Sequence, residues 1–221
     1  MYLYLVQFLQ QTFHDAITGP LDQRGANWLK GQDYMAAFLQ QRKSGPREDD
    51  IVDAILYFEF PDGQAYTDLE RAGTLTQLTA GGIETTGAVI SGALHHLAEN
   101  PDVRQRLAAD KSLIPRAVEE YLRFFVAAPC LGRRVMSDTE MSGTLIPAGD
   151  YIVYNLGGAN RDPSVFKDPQ ELDVARTPNR HLTFAAGVHR CIGLHLARLN
   201  IKIAIETFLQ RIPEFALRME F

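Results

Sequence analysis

The sequence predicts a mainly α protein with a small β part, and three observations carry that expectation. Helix-spaced apolar residues recur from Val6 to Phe125. Turn signals cut the chain into short extended pieces only after Pro129. A last helical pattern then runs from Leu194 to Arg211. The chain has 221 residues, 46% hydrophobic and 22% charged, ordinary globular proportions with enough length to bury a core.

In order, Val6 to Ile17 reads as a helix ended by the breaker pair Gly19-Pro20. Ala26 to Arg42 repeats apolar residues at Trp28, Leu29, Met35, Phe38 and Leu39 and closes at Lys43-Ser44-Gly45-Pro46. Asp49 and Asp50 open a short helix, Ile51 to Phe58, placing acid at its positive N-terminus. Phe60-Pro61-Asp62-Gly63 is a turn. Thr67-Asp68-Leu69-Glu70 has the form of a capping box, and the helix behind it meets no proline before Pro101. Such a length predicts a central helix. Pro101 starts the next helix, and Ser112 or Pro115 opens another that ends before Pro129. Arg133 to Ile152 holds β-like pieces split by Gly143 and by Ile146-Pro147-Ala148-Gly149. The final helix carries apolar Leu196, Leu199, Ile203 and Phe208.

Charge and composition exclude several function classes. Twenty-two Lys and Arg against 27 Asp and Glu leave a net charge of −5, with no basic tract to bind nucleic acid. No apolar run approaches the ~20 residues of a membrane helix, so no membrane association is expected. No signal peptide is legible at the start, and Cys130 and Cys191 are too few for a disulfide scaffold. A cytoplasmic setting follows as the expectation.

The sharpest motif is Phe184-Ala185-Ala186-Gly187-Val188-His189-Arg190-Cys191-Ile192-Gly193, directly before the last helix. A cysteine at a helix start faces unpaired N–H groups and the positive dipole end, which favour thiolate. Glycines on both sides let the backbone approach a flat object closely. One thiolate without a CxxC partner makes no structural zinc or iron–sulfur site, but it can be the lone axial ligand of a haem iron. On its own the cysteine also reads as a buried free thiol.

Glu120 and Arg123 stand three apart on a helix and can pair, at the surface or inside. Gly81-Gly82-Ile83-Glu84-Thr85-Thr86 interrupts the long helix with two glycines that cost roughly 1 kcal/mol each relative to alanine. Close helix packing would compensate. A hydroxyl donor beside a titratable carboxyl suits proton delivery.

Taken together these segments resemble the cytochrome P450 family, soluble bacterial type, over roughly its C-terminal half. The resemblance implies a partial P450-like fold in a single domain, residues 1–221, with a long central helix and a cysteine loop leading into the last long helix. It implies haem b (iron protoporphyrin IX), with Cys191 as the metal ligand, Phe184 over the sulfur, and Gly187 in the binding loop. Arg133, His181 and His189 would meet the haem propionates. Gly82 would line the oxygen groove, with Thr85 and Glu84 as catalytic proton-delivery residues. Glu120 and Arg123 would form a buried structural pair. Two departures stand. Ala185 occupies the family's first loop glycine, and Pro169-Gln170-Glu171-Leu172 has Glu where the pair's third partner, an arginine, is expected; Arg176 lies nearby.

By resemblance the activity is insertion of one oxygen atom from O2 into a small hydrophobic molecule, with electrons from a ferredoxin-type donor. The family's domain is about twice as long, with further N-terminal helices and a final hairpin. The alternative expectation is therefore a truncated haem-binding or non-catalytic helical fragment, marginally stable alone.

Overall fold

The computed structural model describes residues 2–217. It is mostly helical with two small sheets, as expected, and it resolves into two compact units, one up to Glu84 and one from Thr85 onward.

In the first unit, α1 (Tyr2–Thr18) and α2 (Leu21–Lys43) are joined only by Gly19-Pro20, so the chain folds back into a helical hairpin. Leu9 and Phe13 of α1 bury against Met35 and Leu39 of α2 in one cluster. Trp28 packs on Phe13 with ring centres 5.7 Å apart, an ordinary packing role. Asp50 caps α3 (Ile51–Leu56), its carboxylate accepting from the amides of Val52 and Asp53 at 2.9 and 3.0 Å. The capping box at Thr67 is formed reciprocally: the Thr67 amide donates to Glu70 Oε2 at 2.8 Å, and the Glu70 amide donates to Thr67 Oγ1 at 3.2 Å. It opens α4 (Asp68–Glu99), the longest helix of the described chain.

The second unit gathers α5 (Pro101–Ala109), α6 (Ile114–Phe124) and α8 (Leu194–Arg211) with the end of α4. Pro101 stands at the first position of α5 and Pro115 in the first turn of α6, where a missing N–H costs nothing. Ala93, Leu97, Leu107, Val118, Tyr121, Leu122, Ile201 and Ile205 form its core. Each large side chain so buried stabilises the unit by about 1.5–3 kcal/mol.

The apolar residues of α8 divide between an exposed side and a buried one. The residues singled out in sequence, Leu196, Leu199 and Ile203, are 61%, 50% and 49% exposed, whereas Leu194, Ile201, Ile205 and Leu209 face the core. The helix is apolar on two sides, and periodicity alone does not say which side meets its neighbours. Phe208 packs edge-on against Phe215 at 4.8 Å.

The β part is slightly longer than expected. β1 (Cys130–Arg134) pairs antiparallel with β4 (Tyr151–Asn155), Cys130 opposite Asn155 and Arg133 opposite Ile152. Between them β2 (Thr139–Met141) and β3 (Thr144–Ile146) form a hairpin whose two turn residues, Ser142 and Gly143, both have positive φ (51° and 77°). That is the turn whose twist matches paired strands. A short α7 (Leu156–Ala159) follows, and irregular chain leads back to α8.

Candidate functional site

The cysteine loop is built by backbone hydrogen bonds. The Ala185 amide donates to the Leu182 carbonyl at 2.8 Å, and the Cys191 amide donates to the Phe184 carbonyl at 2.9 Å. Gly187 begins a single 3-10 turn, Gly187–His189, with φ 72°. Gly193 is the N-cap residue of α8, so Cys191 sits two residues ahead of the cap. Ala185 adopts φ 53°, in the left-handed region where a Cβ is strained. The departure from glycine noted in the sequence therefore falls at a position whose backbone asks for glycine.

Cys191 is exposed, and its neighbours Val188 and Ile192 are 98% and 82% exposed. The thiol is thus presented outward in an exposed stretch that also includes His189 and Arg190. Among the described residues no heavy atom lies within 4 Å of where a Cβ would stand at Gly187. Among them, too, no three His, Cys, Asp or Glu side chains gather as a metal site. A lone exposed sulfur donor fits a group that brings its other iron ligands with it, as a haem does.

Behind the loop, α6 presents two adjacent glutamates to different partners. Glu120 and Arg123 are fully buried, and all five guanidinium N–H groups of Arg123 are used. Nε and Nη2 donate to the Glu120 carboxylate at 2.8 and 2.7 Å; the rest go to the carbonyls of Asn160, Pro169 and Glu171. Arg176 supplies the third partner, with Nε 3.1 Å from both Glu120 oxygens. Asn179 Nδ2 and the Asp173 amide also donate to the same carboxylate, at 3.0 and 2.9 Å. Burial alone would raise the Glu120 pKa, but these donors hold it below the usual carboxylate value. Asn160, also fully buried, ties the irregular segment back to α6: its side chain donates to Thr183 Oγ1 and accepts from the Leu182 amide.

Glu119 faces the other way. Its Oε1 accepts from Arg198 Nε at 2.6 Å, and its Oε2 from Arg198 Nη2 at 2.9 Å and His181 Nε2 at 3.0 Å. The Thr183 amide donates to His181 Nδ1 at 3.3 Å, which assigns the ring proton to Nε2. Burial opposes ionisation of Glu119, yet the bonds from His181 and Arg198 bring its pKa down to about 2. Glu119 and Arg198 were not legible as site residues, because 79 positions separate them and no local pattern links them.

The family resemblance assigned His181 to a propionate. Its side chain is 2% exposed and both ring nitrogens are engaged within the protein. His189 and Arg133 are exposed. Arg133 lies on β1 with its guanidinium 5.1 Å from the Tyr154 ring centre. Arg134, next along the strand, points to the opposite face.

In α4 the glycine pair does not serve helix packing: among the described residues no heavy atom lies within 4 Å of a Cβ built at Gly81 or Gly82. Thr85 is exposed one turn further on, at the start of the second unit. Glu84 belongs to the first unit, where its Oε1 is 3.7 Å from His14 Nδ1. The two border a groove of about 770 Å³ between α1 and α2, with Phe8, Gln11, Asp15 and Lys30 along its walls.

The chain is similar to known proteins over most of its length. The family model described as Cytochrome P450 matches residues 6–215. A biotin biosynthesis cytochrome P450 of Bacillus subtilis is 37% identical over 184 residues, 83% of this chain and 46% of that protein. A steroid C26-monooxygenase of Mycobacterium tuberculosis is 36% identical over 185 residues, 84% of this chain and 49% of the other. Among solved structures, P450BioI in complex with an acyl carrier protein carrying hexadec-9Z-enoic acid superposes with a TM-score of 0.86 at 33% identity, covering 96% of this chain and 56% of that one. The bacillaene polyketide synthase cytochrome P450 PksS of Bacillus subtilis gives 0.86 at 30% identity, covering 97% and 55%. The chain spans about half the length of the curated relatives it matches.

Proposed function

The chain belongs to the cytochrome P450 family, and from that premise we propose that it supplies the cysteine side of a haem-thiolate monooxygenase site. The carrying observation is the exposed Cys191, held in a glycine-bearing loop between exposed Val188 and Ile192. When bound, haem b supplies the oxygen-activating chemistry, one atom of O2 entering a small hydrophobic substrate. The protein's own residues hold and tune it. Cys191 would provide the thiolate ligand, and the Phe184 carbonyl fixes the Cys191 amide. Gly187 leaves the loop free of a side chain toward the cofactor it would bind, and Gly82 is read from the family resemblance as lining the oxygen groove.

Arg133 and His189, exposed donors, suit the propionates. His181 reaches one only by giving up Glu119 or the Thr183 amide. Glu84 and Thr85 supply a carboxyl and a hydroxyl one residue apart for proton delivery. Residues 1–221 then act as a single partial P450-like domain, working in the cytoplasm with a ferredoxin-type electron donor. In the described chain no helix is long and apolar enough to cross a membrane.

The alternative is a haem-binding or helical segment without monooxygenase activity of its own. It draws on the chain's span of about half its relatives and on the bare apolar stripe of α8. One measurement separates these readings. Reduced, haem-loaded protein should give a thiolate-type carbon monoxide spectrum, lost in Cys191→Ser and kept in Cys130→Ser. The reverse pattern removes Cys191 from the site. A thiolate spectrum without substrate turnover under NAD(P)H and ferredoxin supports the alternative.

A further inference from the structure

We propose that Glu119 is a positioning residue for the cysteine ligand, acting through His181 and Arg198 on Phe184 and through Phe184 on Cys191. The proposal rests on the reading of Cys191 as the axial ligand.

The linkage is continuous in the second unit. Glu119 stands on α6, Arg198 in α8 and His181 in the irregular segment between, so one carboxylate pins three separate stretches of chain. The Phe184 ring is held between the two groups that Glu119 binds. Its centre is 5.9 Å from that of the His181 ring and 4.6 Å from Arg198 Cζ. Arg198 therefore makes a bidentate carboxylate pair and a cation–π contact at once, a double role for which its planar fork is suited. With the ring fixed, the Phe184 carbonyl is fixed, and that carbonyl accepts the Cys191 amide at 2.9 Å. Ala185, strained at φ 53°, follows directly, so this loop needs an external hold.

The chemistry demands a carboxylate at this position. All three hydrogen bonds to Glu119 are donated by its partners: His181 carries its proton on Nε2, and Arg198 only donates. A glutamine of the same shape would set its NH2 group against an N–H in either orientation. Glu119→Gln is therefore a near-isosteric change that removes one or two of the bonds and sets donor against donor.

The test uses haem-loaded full chain, with Glu119→Gln, the milder Arg198→Lys, and Leu209→Ala as a purely packing variant in the same helix. Three quantities are measured: the share of reduced protein giving the thiolate-type rather than the thiol-type carbon monoxide spectrum, hydrogen exchange at the Cys191 amide, and the melting temperature. Glu119→Gln should lower the thiolate share and speed Cys191 exchange by about tenfold, as expected for a local opening of the loop. Arg198→Lys should fall between it and wild type, and it carries the test if Glu119→Gln does not fold. Leu209→Ala should lower melting alone. A thiolate share and Cys191 exchange unchanged in both clamp variants would overturn the proposal, as would a shift of equal size in Leu209→Ala. A wild-type protein with no thiolate spectrum would instead overturn the reading of Cys191, while the exchange data would still decide the clamp.

Discussion

Arg176 places its Nε 3.1 Å from both carboxylate oxygens of Glu120, on a glutamate already bound through two bonds by Arg123. The triad is complete although the sequence carries Glu171 where the family pattern has arginine. The same guanidinium reaches the carbonyls of Lys167, Asp168 and Glu171, so it also shapes the turn that brings it to Glu120.

Removing Arg176 should therefore cost more than a surface ion pair. The Glu120 side chain is 0% exposed and that of Arg176 11%. Arg176→Ala leaves part of a buried charge unmatched and frees the turn, an expected loss of about 2–4 kcal/mol. Arg176→Lys should recover only part of it, since one ammonium cannot reproduce the fork. Denaturant midpoints of the three proteins check this; equal midpoints would show that the third partner is dispensable.

Ala185→Gly should stabilise the protein. A non-glycine residue in the left-handed region costs roughly 1–2 kcal/mol, and the extra unfolded-state freedom of glycine returns about half of that. A gain of about 0.5–1 kcal/mol in thermal unfolding is expected, without loss of haem binding. Gly187→Ala, at φ 72°, should act in the opposite direction although its surroundings are open.

The acid limb of the stability curve should carry the signature of Glu119. Its folded pKa, about 2, lies below the ordinary 4.5, so its contribution is fully present above pH 4.5 and is lost as pH falls toward 2. Glu120 is shifted in the same direction and adds to this slope. Unfolding free energies measured between pH 7 and pH 2 should fall through that window, and Glu119→Gln should flatten the fall. An unchanged slope in the variant would contradict the assigned pairing.

Thr85→Ala is expected to leave cofactor and substrate binding intact while diverting reduced oxygen to peroxide, if Thr85 delivers protons with Glu84. Peroxide formed per NAD(P)H consumed is the measurement. Coupling equal to wild type would take Thr85 out of the reaction.

Much of this molecule was legible because the relevant contacts are local. Asp50 and Thr67 cap their helices through bonds spanning two or three residues, and Glu120 and Arg123 pair across one helical turn. The glycine-flanked Cys191 is likewise a matter of consecutive residues. Tertiary structure decided the rest. Arg176 meets Glu120 across 56 positions and Arg198 meets Glu119 across 79, and no i+3 or i+4 rule reaches that far. In α8 two apolar stripes were equally available, and only packing against α5 and α6 buried Ile201, Ile205 and Leu209 and left Leu196, Leu199 and Ile203 bare. Periodicity specifies that a helix has an apolar face, but the partner surface selects which face becomes core.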